Sequence, residues 1–238
     1  SISHLGPEPM IAVETQSPIR MRNTLTPPTK FRREAESQDP TVLSNIYLEE
    51  TNITIWRREL SENFYQSIDS FLNLNPDFQA TMVAAPETAY PLIKEKLADE
   101  AQHELCENIS ELVDMFCSLF ELKRTGLRLV TLDRAMCPKF HVDKVPCRLV
   151  TTFQGLATEW LPHESVNREK LGLGSNGKAD SQSGIFNCEE DIQRLRSGDV
   201  ALLKGELWNN NENAGLVHRS PALPAGQRRL VLTLDFIE

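Results

Sequence analysis

Apolar residues recur along this chain with two different periods, and the change of period falls near Gly126. Before it, Phe64, Ile68, Phe71 and Leu72 follow Ser61-Glu62-Asn63 at three- and four-residue steps, the spacing of an amphipathic helix behind a serine cap. Leu97, Ala101, Leu105, Ile109, Leu112, Val113, Phe116, Leu119 and Phe120 keep that period, which predicts a helical stretch, with one or more breaks, from Pro86 to about Leu122. Ile53, Ile55 and Trp56 form a β-prone run ahead of the first helix, and Phe78 to Ala85 is a further short apolar element. Cys106, Met115 and Cys117 lie on the helical stripe and are expected as core filler.

After Gly126 strand alternation takes over. Leu127 to Leu132, Cys147 to Phe153, Ala157 to Leu161, Asp199 to Lys204, Gly215 to His218 and Arg229 to Phe236 are β-prone runs broken by Gly, Pro and Asn, which predicts a sandwich or barrel. Gly172 to Gly184 is polar and glycine-rich and is expected as a mobile loop. Cys188 to Arg196 is expected as a short helix before the Ser197-Gly198-Asp199 turn. The first forty residues are rich in Pro, Thr, Ser and charge without an apolar period. The expected organisation is an extended or disordered arm over 1–40, a mainly helical support over 41–125 and a β core over 126–238. The last two should form one compact domain of α+β class.

Composition narrows the partners. With 238 residues, 40% hydrophobic and 25% charged, the chain can bury a sizeable core. A net charge of −9 without a Lys/Arg-rich run argues against nucleic acid. No long apolar run and no signal-peptide pattern argue against a membrane or secretion. Five sparse cysteines fit a reducing cytoplasm. Nothing in the pattern specifies an oligomeric state.

The chemistry-bearing stretch is His141-Val-Asp143. In a strand, residues two apart share a face, so the imidazole and the carboxylate would stand side by side. His218 closes the run Gly215-Leu-Val-His218, and a closed barrel can bring it beside that pair. Two imidazoles and one carboxylate leave coordination positions open, the arrangement of non-haem Fe(II) oxygenases, though Zn(II) accepts the same donors. Arg228 and Arg229 open the last run. A guanidinium there can hold a carboxylate through two hydrogen bonds, and alternation lets only one of the two face inward.

Cys137 and Cys147 flank the motif and leave open a mixed Cys/His zinc site, against which their spacing counts. His163 is expected as an ordinary loop histidine, and Asp199 as a turn residue rather than a catalytic partner of Glu159. No glycine-rich phosphate loop and no Gly-x-Ser-x-Gly elbow is present, which sets aside NTPase and serine-hydrolase chemistry.

The segments His141-Val-Asp143, Arg148 to Phe153, Gly155 to Trp160, Gly198 to Gly205, Leu216 to Pro221 and Arg229 to Asp235 carry a family resemblance. On them the chain resembles the bacterial domain of unknown function 1826 family. Its C-terminal half resembles the double-stranded β-helix, a jelly-roll or cupin-like barrel, of 2-oxoglutarate/Fe(II)-dependent oxygenases. That resemblance implies a dioxygenase acting on an unknown substrate, with Fe(II) held by His141, Asp143 and His218. It also implies 2-oxoglutarate bound through its far carboxylate to Arg229 or Arg228. Arg229 fits better, because Arg-Leu-Val suits the last strand. Val231 departs from the pattern, standing where such enzymes often place a polar residue. The Gly172 to Gly184 insertion would be the lid. The family resemblance also implies an alternative, a non-catalytic Zn(II)-binding protein of metal homeostasis using the same ligands.

Overall fold

In a computed structural model that describes residues 30–238, the chain forms β1 (Arg33–Ser37), β2 (Thr51–Trp56), α1 (Glu62–Leu74), β3 (Gln79–Ala84), α2 (Ala89–Leu97), α3 (His103–Phe120), β4 (Thr125–Leu132), β5 (Cys147–Gln154), β6 (Glu159–Leu161), α4 (Asp180–Ser183), β7 (Gln193–Arg194), β8 (Val200–Lys204), β9 (Val217–Arg219) and β10 (Arg229–Asp235). The Ser61 hydroxyl accepts from Phe64 N at the head of α1, as its capping position predicts. Ala98 and Glu121 adopt left-handed conformations just past α2 and α3 and stop them.

Two sheets stack. The larger has the order β1-β2-β8-β5-β10-β4-β3 and the smaller β7-β6-β9, extended by a single bridge between His141 and His218. From β4 onward the chain deals its β segments between the layers. The first, third, sixth and eighth (β4, β5, β8, β10) enter the large sheet, and the His141 bridge, β6, β7 and β9 enter the small one. That interleaving is the winding of a double-stranded β-helix, and the protein is of α+β class.

Strand alternation then sorts the side chains of the large sheet. Leu129, Leu149, Phe153, Leu202, Leu230 and Leu232 face α1 to α3 and join Phe64, Ile68, Phe71, Ile109 and Phe116 in one core. Ile53, Ile55, Val130, Val150, Leu203 and Val231 face the small sheet and pack with Trp160 and Leu216.

Three segments differ from the sequence expectation. Residues 33–37, inside the stretch expected to be an unstructured arm, add β1 in parallel to β2 at the sheet edge. Residues 1–29, the greater part of that arm, lie outside the described residues. Ile192 and Leu195 imitate a helical step, yet Cys188 to Arg196 forms a 3-10 turn at Glu189–Asp191 and then β7, because pairing with β6 supplies its backbone with partners. The Gly172 to Gly184 stretch folds into a 3-10 turn at Gly172–Ser175 followed by α4, with Ser175, Asp180 and Ser183 buried. Among the described residues no helix is long and apolar enough to cross a membrane.

Candidate metal centre

His141 and His218 meet because their backbones exchange a reciprocal pair of hydrogen bonds, His141 N to His218 O and His218 N to His141 O, each 3.0 Å. Residues so paired send their side chains to the same face, and the two imidazole centroids lie 4.5 Å apart. The strand expected at His141-Val-Asp143 is reduced to that one bridge residue, and Asp143 lies in irregular chain beyond it. Strand alternation therefore does not place the carboxylate. A turn does: Glu206 N donates to Asp143 O (3.0 Å), Leu207 N to Val145 O (3.2 Å) and Gly205 N to Pro146 O (2.9 Å). A Cβ on Gly205 would stand 2.0 Å from Val145 O, so only glycine lets the two segments lie this close.

Asp143 Oδ1 then sits 3.5 Å from His141 Nε2, and Oδ2 sits 3.3 Å from His218 Nε2. One donor atom from each of the three residues lies within 4.8 Å of the others. Both imidazoles are oriented from behind. His141 Nδ1 donates to Lys139 O (2.9 Å) and His218 Nδ1 to Leu216 O (3.2 Å), which fixes the proton on Nδ1 and turns the Nε2 lone pairs inward. Burial alone would raise the Asp143 carboxyl, but the contacts from His141, His218 and Arg148 outweigh it and hold the group well below the usual carboxylate range. At His141 burial opposes protonation, and Asp143 with the Lys139 carbonyl outweighs it, so the imidazolium is favoured more than usual. Asp143 Oδ2 is buried without a well-directed hydrogen bond. Two inward Nε2 atoms around such an oxygen form a donor set suited to a divalent cation.

Two supports escaped the sequence. Arg148 on β5 places Nη1 3.2 Å from Asp143 Oδ2, while its Nε and Nη2 bind the Asp235 carboxylate at 2.8 and 3.2 Å. Arg148 and Asp235 are direct partners in the β5–β10 register, a signal that strand order alone would have exposed. Asp180, from the glycine-rich insertion, accepts from Phe140 N (3.0 Å) and Arg219 Nη1 (2.9 Å), the neighbours of the two histidines. Arg219 also pairs with Glu159 (3.1 Å) and lies over the Phe140 ring. Glu159 is thus an ion-pairing residue, and Asp199 accepts from Arg196 N in its turn, as expected.

His141 and His218 border a cavity of about 160 Å³ lined also by Arg148, Thr158, Val231 and Arg229. Arg229 is 2% exposed and Arg228 is exposed, so alternation turns the former inward. Arg229 Nη2 donates to the hydroxyls of Thr152 (3.0 Å) and Thr158 (3.4 Å), and its Nε has no partner. Among the described residues no carboxylate pairs with it, and burial pushes its pKa down to about 10. Val231 packs in the apolar layer, so these two threonines supply the hydroxyls that position 231 lacks.

The flanking cysteines take no part. Cys147 is fully buried on the helix-facing side, where burial pushes its thiol up, and Cys137 is exposed. His163 is buried rather than an ordinary loop residue, and Arg168 Nη2 donates to its Nδ1 at 3.1 Å.

A family model described as a protein of unknown function, DUF1826, matches residues 37–235. The chain belongs to that family. No curated protein matches the DUF1826 chain. Among solved structures it is similar to dioxygenase for auxin oxidation 1 from Arabidopsis thaliana in complex with 2-oxoglutarate, at 8% identity and TM-score 0.46 over 87% of this chain and 92% of that one. It is also similar to the rice dioxygenase for auxin oxidation (10%, TM-score 0.44, 78% and 73%) and to a Pseudomonas putida prolyl-4-hydroxylase (10%, TM-score 0.41, 82% and 96%). Likeness at this level assigns no chemistry to the DUF1826 site, whose reading rests on its own geometry.

Proposed function

We propose that this protein is a non-haem Fe(II)- and 2-oxoglutarate-dependent oxygenase acting on an unidentified substrate. The observation that carries the proposal is a His141–Asp143–His218 triad whose two histidines line the same cavity as a buried arginine that, among the described residues, no carboxylate neutralises. A structural arginine this deep would ordinarily carry a carboxylate partner. The free guanidinium suits one end of a diacid whose other end chelates the metal.

His141, Asp143 and His218 would hold Fe(II), and Arg229, steadied by Thr152 and Thr158, would bind the far carboxylate of 2-oxoglutarate. When bound, iron and the keto acid supply oxidising power from O2, with release of CO2 and succinate. The chain's own work is positional. The Lys139 and Leu216 carbonyls each accept from an Nδ1–H and so point both Nε2 atoms at the metal position, and Arg148 helps to aim the Asp143 carboxylate. Val130, Val150, Leu203 and Val231 form the apolar part of the cavity wall. Gly172, from the insertion expected to be the lid, lines a second recess of about 380 Å³ that also touches His141, which supports a substrate-side role for that segment.

Anaerobic addition of Fe(II) and then 2-oxoglutarate should produce a weak visible charge-transfer band, and Arg229→Met should abolish the keto-acid-dependent part while metal still binds. Protein that carries tight zinc, gives no band when iron-loaded and does not turn over 2-oxoglutarate would overturn the oxygenase reading in favour of Zn(II) binding.

A further inference from the structure

Lys204, the last residue of β8, is 1% exposed, and Arg32, just before β1, is 4% exposed. Both line one cleft of about 210 Å³ together with Tyr47, Glu49, Trp208 and Asn209. Among the described residues, every hydrogen-bond acceptor they use is neutral. Lys204 Nζ donates to Leu48 O (2.9 Å) and lies 5.0 Å over the Trp208 ring. Arg32 Nε donates to Asn211 Oδ1 (2.9 Å), Nη1 to Phe31 O (2.8 Å) and Nη2 to Asn210 O (3.1 Å).

A buried cation costs several kcal/mol unless it is paired, and here two lie together. The chain has 34 acidic residues against 25 basic ones. Yet among the described residues none forms a salt bridge with Lys204 or Arg32, and Glu49, the carboxylate in the lining, is exposed. Desolvation and the Arg32 charge push Lys204 down to about 8. The guanidinium and the ammonium together have more N–H groups than these bonds use. One role is structural: Arg32 pins the Asn210–Asn211 turn, and Lys204 caps the carbonyl end of the 3-10 helix at Pro40–Tyr47. Neither duty calls for a polar cleft between two unneutralised charges.

We infer that this cleft binds a small oxyanion of phosphate size, gripped between Lys204 and Arg32. The site is separate from the metal cavity. Leu203 lines that cavity, and alternation turns Lys204 to the opposite, helix-facing side of the large sheet.

The test is calorimetric titration of inorganic phosphate into the full chain, with chloride at matched ionic strength as control. Saturable binding of phosphate but not chloride is expected. Lys204→Met should weaken it at least tenfold, and so should Asn209→Asp, which brings a carboxylate to the exposed rim of the same cleft without touching the core. Arg229→Met should leave it unchanged, separating this site from the keto-acid pocket. Heat no greater than with chloride, an affinity unaltered by both Lys204→Met and Asn209→Asp, or an affinity lost in Arg229→Met would each overturn the inference. If Lys204→Met does not fold, Asn209→Asp alone decides.

Discussion

The two faces of β5 and β10 are built from the same strands and serve opposite ends. Toward the helices, Leu149, Phe153, Leu230, Leu232 and Leu234 interlock with three helices in a dry layer. Toward the small sheet, Arg148, Thr152, Arg229 and Asp235 put charge and hydroxyls among valines. Alternate residues of one strand thus separate stability from chemistry. The packed face fixes the backbone, and the backbone fixes the Arg148–Asp235 and Arg229–Thr152 contacts to ångström tolerance.

That division can be broken from either side. The largest effect should come from the packed face: Phe153→Ala should cost about 3–5 kcal/mol in denaturant unfolding, while metal affinity of the folded fraction stays within about threefold. On the other face, His218→Ala should lower the affinity for Co(II) by more than about a hundredfold, measured by titration, while the metal-free unfolding midpoint barely moves. Arg148→Gln should weaken metal binding by roughly 10–100-fold through loss of the Asp143 support, and Arg148→Lys should recover part of it. On the neighbouring β8, Lys204 brings a charge to the helix-facing side of the same sheet. In the unfolded chain it holds its proton to 10.5, and in the folded chain to about 8. Between those values the unfolded state binds more protons, so stability should rise with pH, by at most about 1.4 kcal/mol per unit. Lys204→Met should flatten that rise in urea melts recorded from pH 7.5 to 10.

The helices and the main strands were legible because each buries one face, and the spacing of Phe64, Ile68 and Phe71 or of Leu230, Leu232 and Leu234 records which face that is. β1 was not legible, since Arg33-Glu-Ala-Glu-Ser37 is an edge strand with little apolar surface to bury. The three residues of the candidate metal centre could be named from the sequence, but the reason for their convergence differs from the one the sequence suggests. Asp143 arrives through a turn propped on Gly205, not through strand alternation. Arg148 and Asp180 were silent because their partners, Asp143, Asp235, Phe140 and Arg219, are set by tertiary register, which no local pattern encodes.

Asp180 links the two segments that carry the histidines. One carboxylate, delivered by a segment that lies between β6 and β7, clasps the residue before one histidine and the residue after the other. The two histidine-bearing segments are therefore tied to one another by a third segment. Shortening the insertion would remove that tie between the two histidine segments and reshape the recess that Gly172 lines.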